Sequence, residues 1–273
     1  MSGRRRENSR NTGGALSSYA PPFMEMIMPN FFAEEAPADG FLTLRGEDAY
    51  HIARALRMAV GDGVTVCANG VPYPCVLERI RDDECLCRIT GDALPDPEPP
   101  FPVTLYMAFP KGDKLETVVQ KATELGATRI VPFLSSRCIR RPGEEKTGRL
   151  TERLRRIAAE AAKQCGRARI PAVDAPLSFA AMLEEGARAA LPLFCYEGTG
   201  TVPLRTLLEE TASPASVCAV VGSEGGFSPE EAEAARSAGF RMAGLGRRIL
   251  RCETAPAYVL SALDYRYGTP GEK

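Results

Sequence analysis

The sequence predicts an α/β chain in two parts: a mostly parallel sheet covered by helices over residues 102–273, and before it a small β-barrel with one helix. Three observations point there. After residue 102, apolar runs of strand length alternate with segments of helical period. Before residue 95 the apolar stretches are short and punctuated by Gly, Asp and Pro. Between them, Pro95-Asp96-Pro97-Glu98-Pro99-Pro100 breaks regular structure, which sets a stiff linker over 96–101.

Taken in order, residues 1–27 are basic, polar and rich in Gly, Ser and Asn, which predicts a disordered extension. In 28–95, Phe41–Leu44, Val64–Cys67 and Cys85–Ile89 are strand-length, with turns at Gly61-Asp62-Gly63 and Asn69-Gly70. Asp48–Met58 is the helix-like piece. Beyond the linker, Val103–Phe109 and Arg129–Leu134 read as strands. Asp113–Leu125 reads as a helix, with Leu115, Val118, Val119, Ala122 and Leu125 at helical spacing and Gly126 ending it. Leu150–Cys165 reads as a second helix, and Leu191–Tyr196 and Val217–Val221 as short strands. Pro229–Ala238 is a helix with Ser228 as N-cap, Pro229 at the first position and Glu231 completing a capping box. A short strand at Ala243–Leu245 and a helix over Glu253–Tyr267 close the chain.

Composition narrows the function. The net charge of −1 gives no overall pull on nucleic acid, so such a partner needs a local patch. One such patch exists: residues 137–169 hold eleven Lys and Arg against four acids. Nine cysteines without a CxxC pair, and a single histidine, His51, argue against a metal site and for reduced, buried thiols in a cytoplasmic protein. No apolar run approaches the roughly 20 residues that span a bilayer, so no membrane partner is expected.

Two segments carry the chemistry. Val220-Val221-Gly222-Ser223-Glu224-Gly225-Gly226-Phe227-Ser228 takes a buried strand through a glycine turn into a capped helix, where a ligand can approach the main chain. A helix start also attracts phosphate, but Glu224 repels it and suits a neutral or cationic ligand. Leu245-Gly246-Arg247-Arg248-Ile249-Leu250-Arg251-Cys252-Glu253-Thr254-Ala255 takes a short strand through a second glycine turn, and Ile249 and Leu250 could sandwich a flat ring. A nucleotide hydrolase using the first loop lacks the lysine of GxxxxGK[ST] and evident metal carboxylates.

These segments resemble the SPOUT superfamily of methyltransferases and, more narrowly, the RsmE family, which methylates N3 of a uridine in small-subunit (16S) ribosomal RNA. The resemblance spans 28–265. It includes Met28-Pro29-Asn30-Phe31-Phe32, His51–Arg57 with Gly61-Asp62, and Lys111-Gly112-Asp113-Lys114. It continues through Gln120–Gly126, Glu160-Ala161, Gln164 and Arg167 to the two loops. Two departures are Ser223, where the family usually has Pro, and Cys252, where it has Thr or another small residue.

The resemblance implies a trefoil-knotted C-terminal domain, a PUA-like RNA-binding barrel in front of it, a homodimer and S-adenosylmethionine as cofactor, without a metal. It implies a cofactor pocket from three loops. The first contributes Leu193, Phe194, Tyr196 and Glu197. The second is Gly222, Ser223, Glu224, Gly225 and Gly226, with Glu224 at the methionine end. The third gives Leu245, Gly246, Ile249 and Leu250, followed by Thr254 and Ala255. RNA contacts are expected from His51, Arg54 and Arg57 on the barrel helix, from Lys111 and Lys121, and from Arg137, Arg140, Arg141, Gln164 and Arg167 in or beside the basic patch. Arg251 is expected to orient the uracil and stabilise charge on its oxygens. Glu253 is the second catalytic candidate, although at a helix start capping is its simpler role. The nitrogen is the nucleophile, so Cys252 is not needed for a covalent step, and no general base is assigned. A SPOUT enzyme acting on another RNA, such as transfer RNA, and a non-catalytic RNA-binding ribosome-assembly factor remain as alternatives.

Overall fold

The computed structural model describes residues 28–139 and 144–268, with side chains from 147 onward in the second stretch. The expected N-terminal extension, Arg140 and Arg141 lie outside the described residues.

The first unit is one five-stranded sheet in the order β1-β3-β4-β5-β2. Its strands are β1 (Asn30–Ala33), β2 (Phe41–Arg45), β3 (Gly63–Ala68), β4 (Val71–Ile80) and β5 (Glu84–Ile89). Only β1 and β3 pair in parallel. The sheet curls until β1 and β2 are in contact, without a hydrogen-bonded seam between them. Alternation puts Leu42, Leu44, Val64, Val66 and Leu77 inside, capped by Ile52. The helix expected over Asp48–Met58 is shorter and of mixed type: α1 (Glu47–Tyr50) runs into a π-helical turn, His51–Leu56. Arg57 ends it in the left-handed conformation at φ +53°, and Met58 N–H donates back to the Ile52 carbonyl.

The second unit is an eight-stranded sheet whose pairings are all parallel. Its elements are β6 (Val103–Ala108), α2 (Lys114–Glu124), β7 (Arg129–Leu134), α3 (Glu144–Cys165), β8 (Ala172–Val173), β9 (Leu177–Ser178), α4 (Phe179–Gly186) and β10 (Leu191–Cys195). After these come β11 (Val202–Pro203), α5 (Leu204–Glu210), β12 (Val217–Val221), α6 (Pro229–Ser237), β13 (Arg241–Gly244) and α7 (Thr254–Tyr267). The order is β11-β13-β10-β12-β6-β7-β8, with β9 also on β7. Every residue of β12 is buried, as its unbroken apolar run requires of a strand covered on both faces. α3 begins six residues earlier than expected, and α4 and α5 were not anticipated because each is only two turns long. Ser228 makes the expected capping box with Glu231.

The linker is bound down. Glu98 is buried and paired with Arg167, and Asp96 pairs with Arg169 at 3.0 Å. From the barrel, Asn30 Nδ2 donates to the Arg167 carbonyl at 2.9 Å, and Asp48 accepts from Lys163 of α3 at 2.5 Å.

Candidate active site

Three loops leave the carboxyl ends of β10, β12 and β13, the edge of a parallel sheet where ligands bind. They enclose a cavity of about 760 Å³, within the range of cofactor sites. Phe194 and Phe227, with ring centroids 4.2 Å apart, pack in the core behind the loops.

In the loop after β12 the main chain folds on itself. Gly226 N–H donates to the Ser223 carbonyl at 2.9 Å, and a Cβ on Gly222 would stand 3.1 Å from Gly226 Cα. Gly226 has φ +61°, and a Cβ there would overlap the Glu197 carboxylate. Gly222 is thus required by close approach of main chain, and Gly226 by its left-handed φ. Ser223 is 6% exposed, and its Oγ is the one buried side-chain polar atom among the described residues without a hydrogen-bond partner.

A carboxylate pair meets α2 at the cavity edge. Glu224 accepts from the Lys111 N–H at 3.1 Å and from Lys114 Nζ at 2.8 Å. Glu253 lies 3.8 Å from the same ammonium and accepts from Cys252 Sγ at 3.3 Å. Burial works to raise the Glu224 carboxyl, but hydrogen bonds from Lys114 and from the Glu224 and Lys111 main chain outweigh it and hold it below its ordinary value. A main-chain hydrogen bond first, then those from Cys252 and the charges of Lys114 and Arg251, hold Glu253 low as well. Cys252 is pushed up to about 12 by burial, by its bond to Glu253 and by the Glu224 charge. It stays a neutral thiol, which removes its nucleophilicity. Glu253 makes no side-chain cap to α7, contrary to the capping role expected for it.

Comparison with known proteins places this geometry. The model of the RNA methyltransferase domain family matches residues 97–264. Ribosomal RNA small subunit methyltransferase E of Bacillus subtilis is 34% identical over 85% of this chain and 92% of its own. That of Synechocystis is 33% identical over 85% of this chain and 75% of its own. The crystal structure of the Neisseria gonorrhoeae enzyme of the same name, bound to S-adenosyl methionine, superposes with a TM-score of 0.75 at 26% identity, covering 87% of this chain and 97% of that one.

The chain belongs to the ribosomal RNA small subunit methyltransferase E family.

In this methyltransferase E chain, the cavity is lined by Tyr196 and Glu197 from the first loop and by Gly222, Ser223, Glu224 and Gly226 from the second. The third loop contributes Leu245, Gly246, Ile249, Leu250 and Arg251, with Ala255 below. Leu193 and Phe194 do not line it; both side chains are fully buried in the core. Gly225 turns away, and Arg137 Nη1 donates to its carbonyl at 2.8 Å. Thr254 and Glu253 are also outside the lining. Arg247 and Arg248, inside the expected loop Leu245–Leu250, line it as well, whereas sequence reasoning missed Lys114, Thr201 and Cys252 as lining residues. Lys114 stands in the Lys111–Lys114 motif and was findable there. Thr201 carries no signal; it arrives because the chain returns along β11 beside Gly244.

The RNA-contact set fares unevenly. His51, Arg54 and Arg57 are exposed on the barrel turn, but Arg54 is paired with Asp82. Lys111 and Gln164 are exposed, and Lys121 pairs with Glu124 at 2.8 Å. Arg167 is corrected: it is 5% exposed, paired with Glu98, and donates to the carbonyls of Thr123 and Ala127. A guanidinium so enclosed holds the linker and cannot reach a phosphate. Among the described residues no cluster of His, Cys, Asp or Glu suits a metal, and no helix is long and apolar enough to cross a membrane. All nine cysteines are free, eight of them buried.

Proposed function

We propose that this chain transfers a methyl group from S-adenosylmethionine to N3 of a uridine in small-subunit ribosomal RNA. One observation carries the reading: a cofactor-sized cavity at the sheet's carboxyl edge, walled by bare glycine main chain, aliphatic side chains, two carboxylates and a rim of basic side chains. The chemistry of that lining fits the cofactor. Val221, Leu245 and Leu250 offer apolar surface to an adenine, with main-chain groups beside them. Glu197 and Glu224 offer acceptors to hydroxyls or a cation. The unpartnered Ser223 hydroxyl leaves one polar group in the lining still to be satisfied.

When bound, the cofactor supplies an electrophilic methyl group on a sulfonium. The chain's part is to hold the reacting nitrogen in line at close range. Arg251, exposed on the cavity wall, orients the uracil and stabilises negative charge on its oxygens as N3 gives up its proton to solvent. Cys252 takes no covalent part, because its thiol is un-ionised. Glu253 acts as a positioning residue, holding Lys114 and Cys252 beside the wall.

The same reading includes a trefoil knot, a PUA-like role for the curled sheet, a cytoplasmic location and a homodimer. The sheet order, with β13 lying beyond β10 from β12, supports threading of the C-terminal segment. Tyr258 and Tyr265, exposed on α7, support a partner on that helix. Mass-spectrometric mapping of 16S ribosomal RNA from cells lacking the protein tests the reaction. The expected result is loss of one 3-methyluridine that returns on complementation; an unchanged methylation map contradicts it.

A further inference from the structure

The basic segment 137–169 is the obvious RNA surface by composition, yet its described cations are largely committed. Arg153 pairs with Glu116, Arg155 donates to the Val173 carbonyl, Lys163 pairs with Asp48 and Glu160, and Arg167 and Arg169 hold the linker. Some exposed arginines elsewhere are neutralised by a carboxylate three or four residues away, as in Arg188–Glu184, Arg205–Glu209 and Arg236–Glu233. Arg247 and Arg248 are not. They are adjacent, exposed, and without a partner among the described residues. Glu224, a carboxylate of the same cavity lining, is already engaged by Lys114. Both arginines line the cavity. Beside them Ile249 is 81% exposed, an apolar contact for an unstacked base. Lys111, whose main chain grips Glu224, adds another exposed cation near the same edge.

We propose that Arg247 and Arg248, at the cavity edge, grip the backbone phosphates on either side of the target nucleotide, and that this loop, not α3, is the main electrostatic contact with RNA. Two like charges held side by side repel each other, and a polyanion relieves that repulsion. The loop that walls the cofactor site therefore also reads the arrival of substrate: phosphates bound there bring the next base over the cavity. This rests on the RNA methyltransferase reading above.

The test is binding of full-length 16S ribosomal RNA transcript across a salt series, with S-adenosylhomocysteine uptake measured in parallel by calorimetry. Each phosphate contact contributes about 0.7 to the slope of log affinity against log salt. Arg247→Gln/Arg248→Gln is expected to reduce the wild-type slope by about 1.4. Arg149→Gln/Arg156→Gln, two α3 arginines without a partner among the described residues, is expected to leave it within about 0.5. An unchanged slope in the first variant, or a larger loss in the second, overturns the proposal. A wild type that takes up S-adenosylhomocysteine but shows no salt-dependent RNA binding contradicts the RNA reading itself.

Discussion

Lys114 Nζ lies 2.8 Å from Glu224 Oε1, joining the start of α2 to the glycine loop 110 residues away. The pair fixes one wall of the cavity, because Glu224 also takes the Lys111 N–H and the loop has little else to anchor it on that side. Lys114→Met is expected to weaken S-adenosylhomocysteine binding about fivefold, a modest loss that suits a solvent-screened ion pair. Calorimetry checks it, and unchanged affinity with unchanged amide exchange over residues 222–226 counts against a structural role for the pair.

The same pair sets a pH response. Glu224 and, through Arg129, Glu185 are held below the ordinary carboxylate value in the folded chain. A depressed folded pKa stabilises the fold above the unfolded value of about 4.3, and that contribution is lost as pH falls through the folded one. The urea midpoint is expected to be flat from pH 7 to about 5 and to fall below that. Lys114→Met should flatten the acid limb; an unchanged limb would mean that Glu224 gains nothing from Lys114.

Gly226→Ala meets the Glu197 carboxylate and carries a side chain at φ +61°. The Glu197 carboxylate must swing away and the strained main chain relax, which alters the cavity wall, so cofactor uptake is expected to fall by more than tenfold while the far-UV spectrum stays near wild type. Retained affinity would show that the bare main chain at Gly226 is dispensable.

Cys252→Ser is expected to keep turnover within about threefold of wild type, since a thiol raised to about 12 is un-ionised at neutral pH. Loss of turnover with intact cofactor binding would give the thiol a chemical role.

Arg167→Ala strips a buried guanidinium from Glu98 and from two carbonyls. It is expected to cost about 3 kcal/mol or more in chemical denaturation. The RNA salt slope of the folded protein should not change, whereas a slope reduced by one contact would restore Arg167 as a phosphate ligand.

The fold was legible where periodicity was strong. Leu115, Val118, Val119 and Ala122 marked α2, and the wholly apolar β12 marked a buried parallel strand. The short α4 and α5 were not legible, because two turns carry too few apolar positions to show a period. The loops at Gly222–Gly226 and Leu245–Leu250 could be found from glycine placement. Thr201 could not be assigned to the cavity from its own neighbours in sequence, because only the sheet order brings it there. Arg167 misled for a related reason: a charge in a basic run looks solvated, and nothing nearby in sequence reveals that Glu98 closes over it.

All of this depends on the cavity between the three loops holding S-adenosylmethionine. Titration calorimetry of the folded chain with S-adenosylhomocysteine tests that most directly. Saturable uptake of one ligand per chain, lost in Gly226→Ala, is the expected result. No heat of binding from a protein that unfolds cooperatively would contradict it.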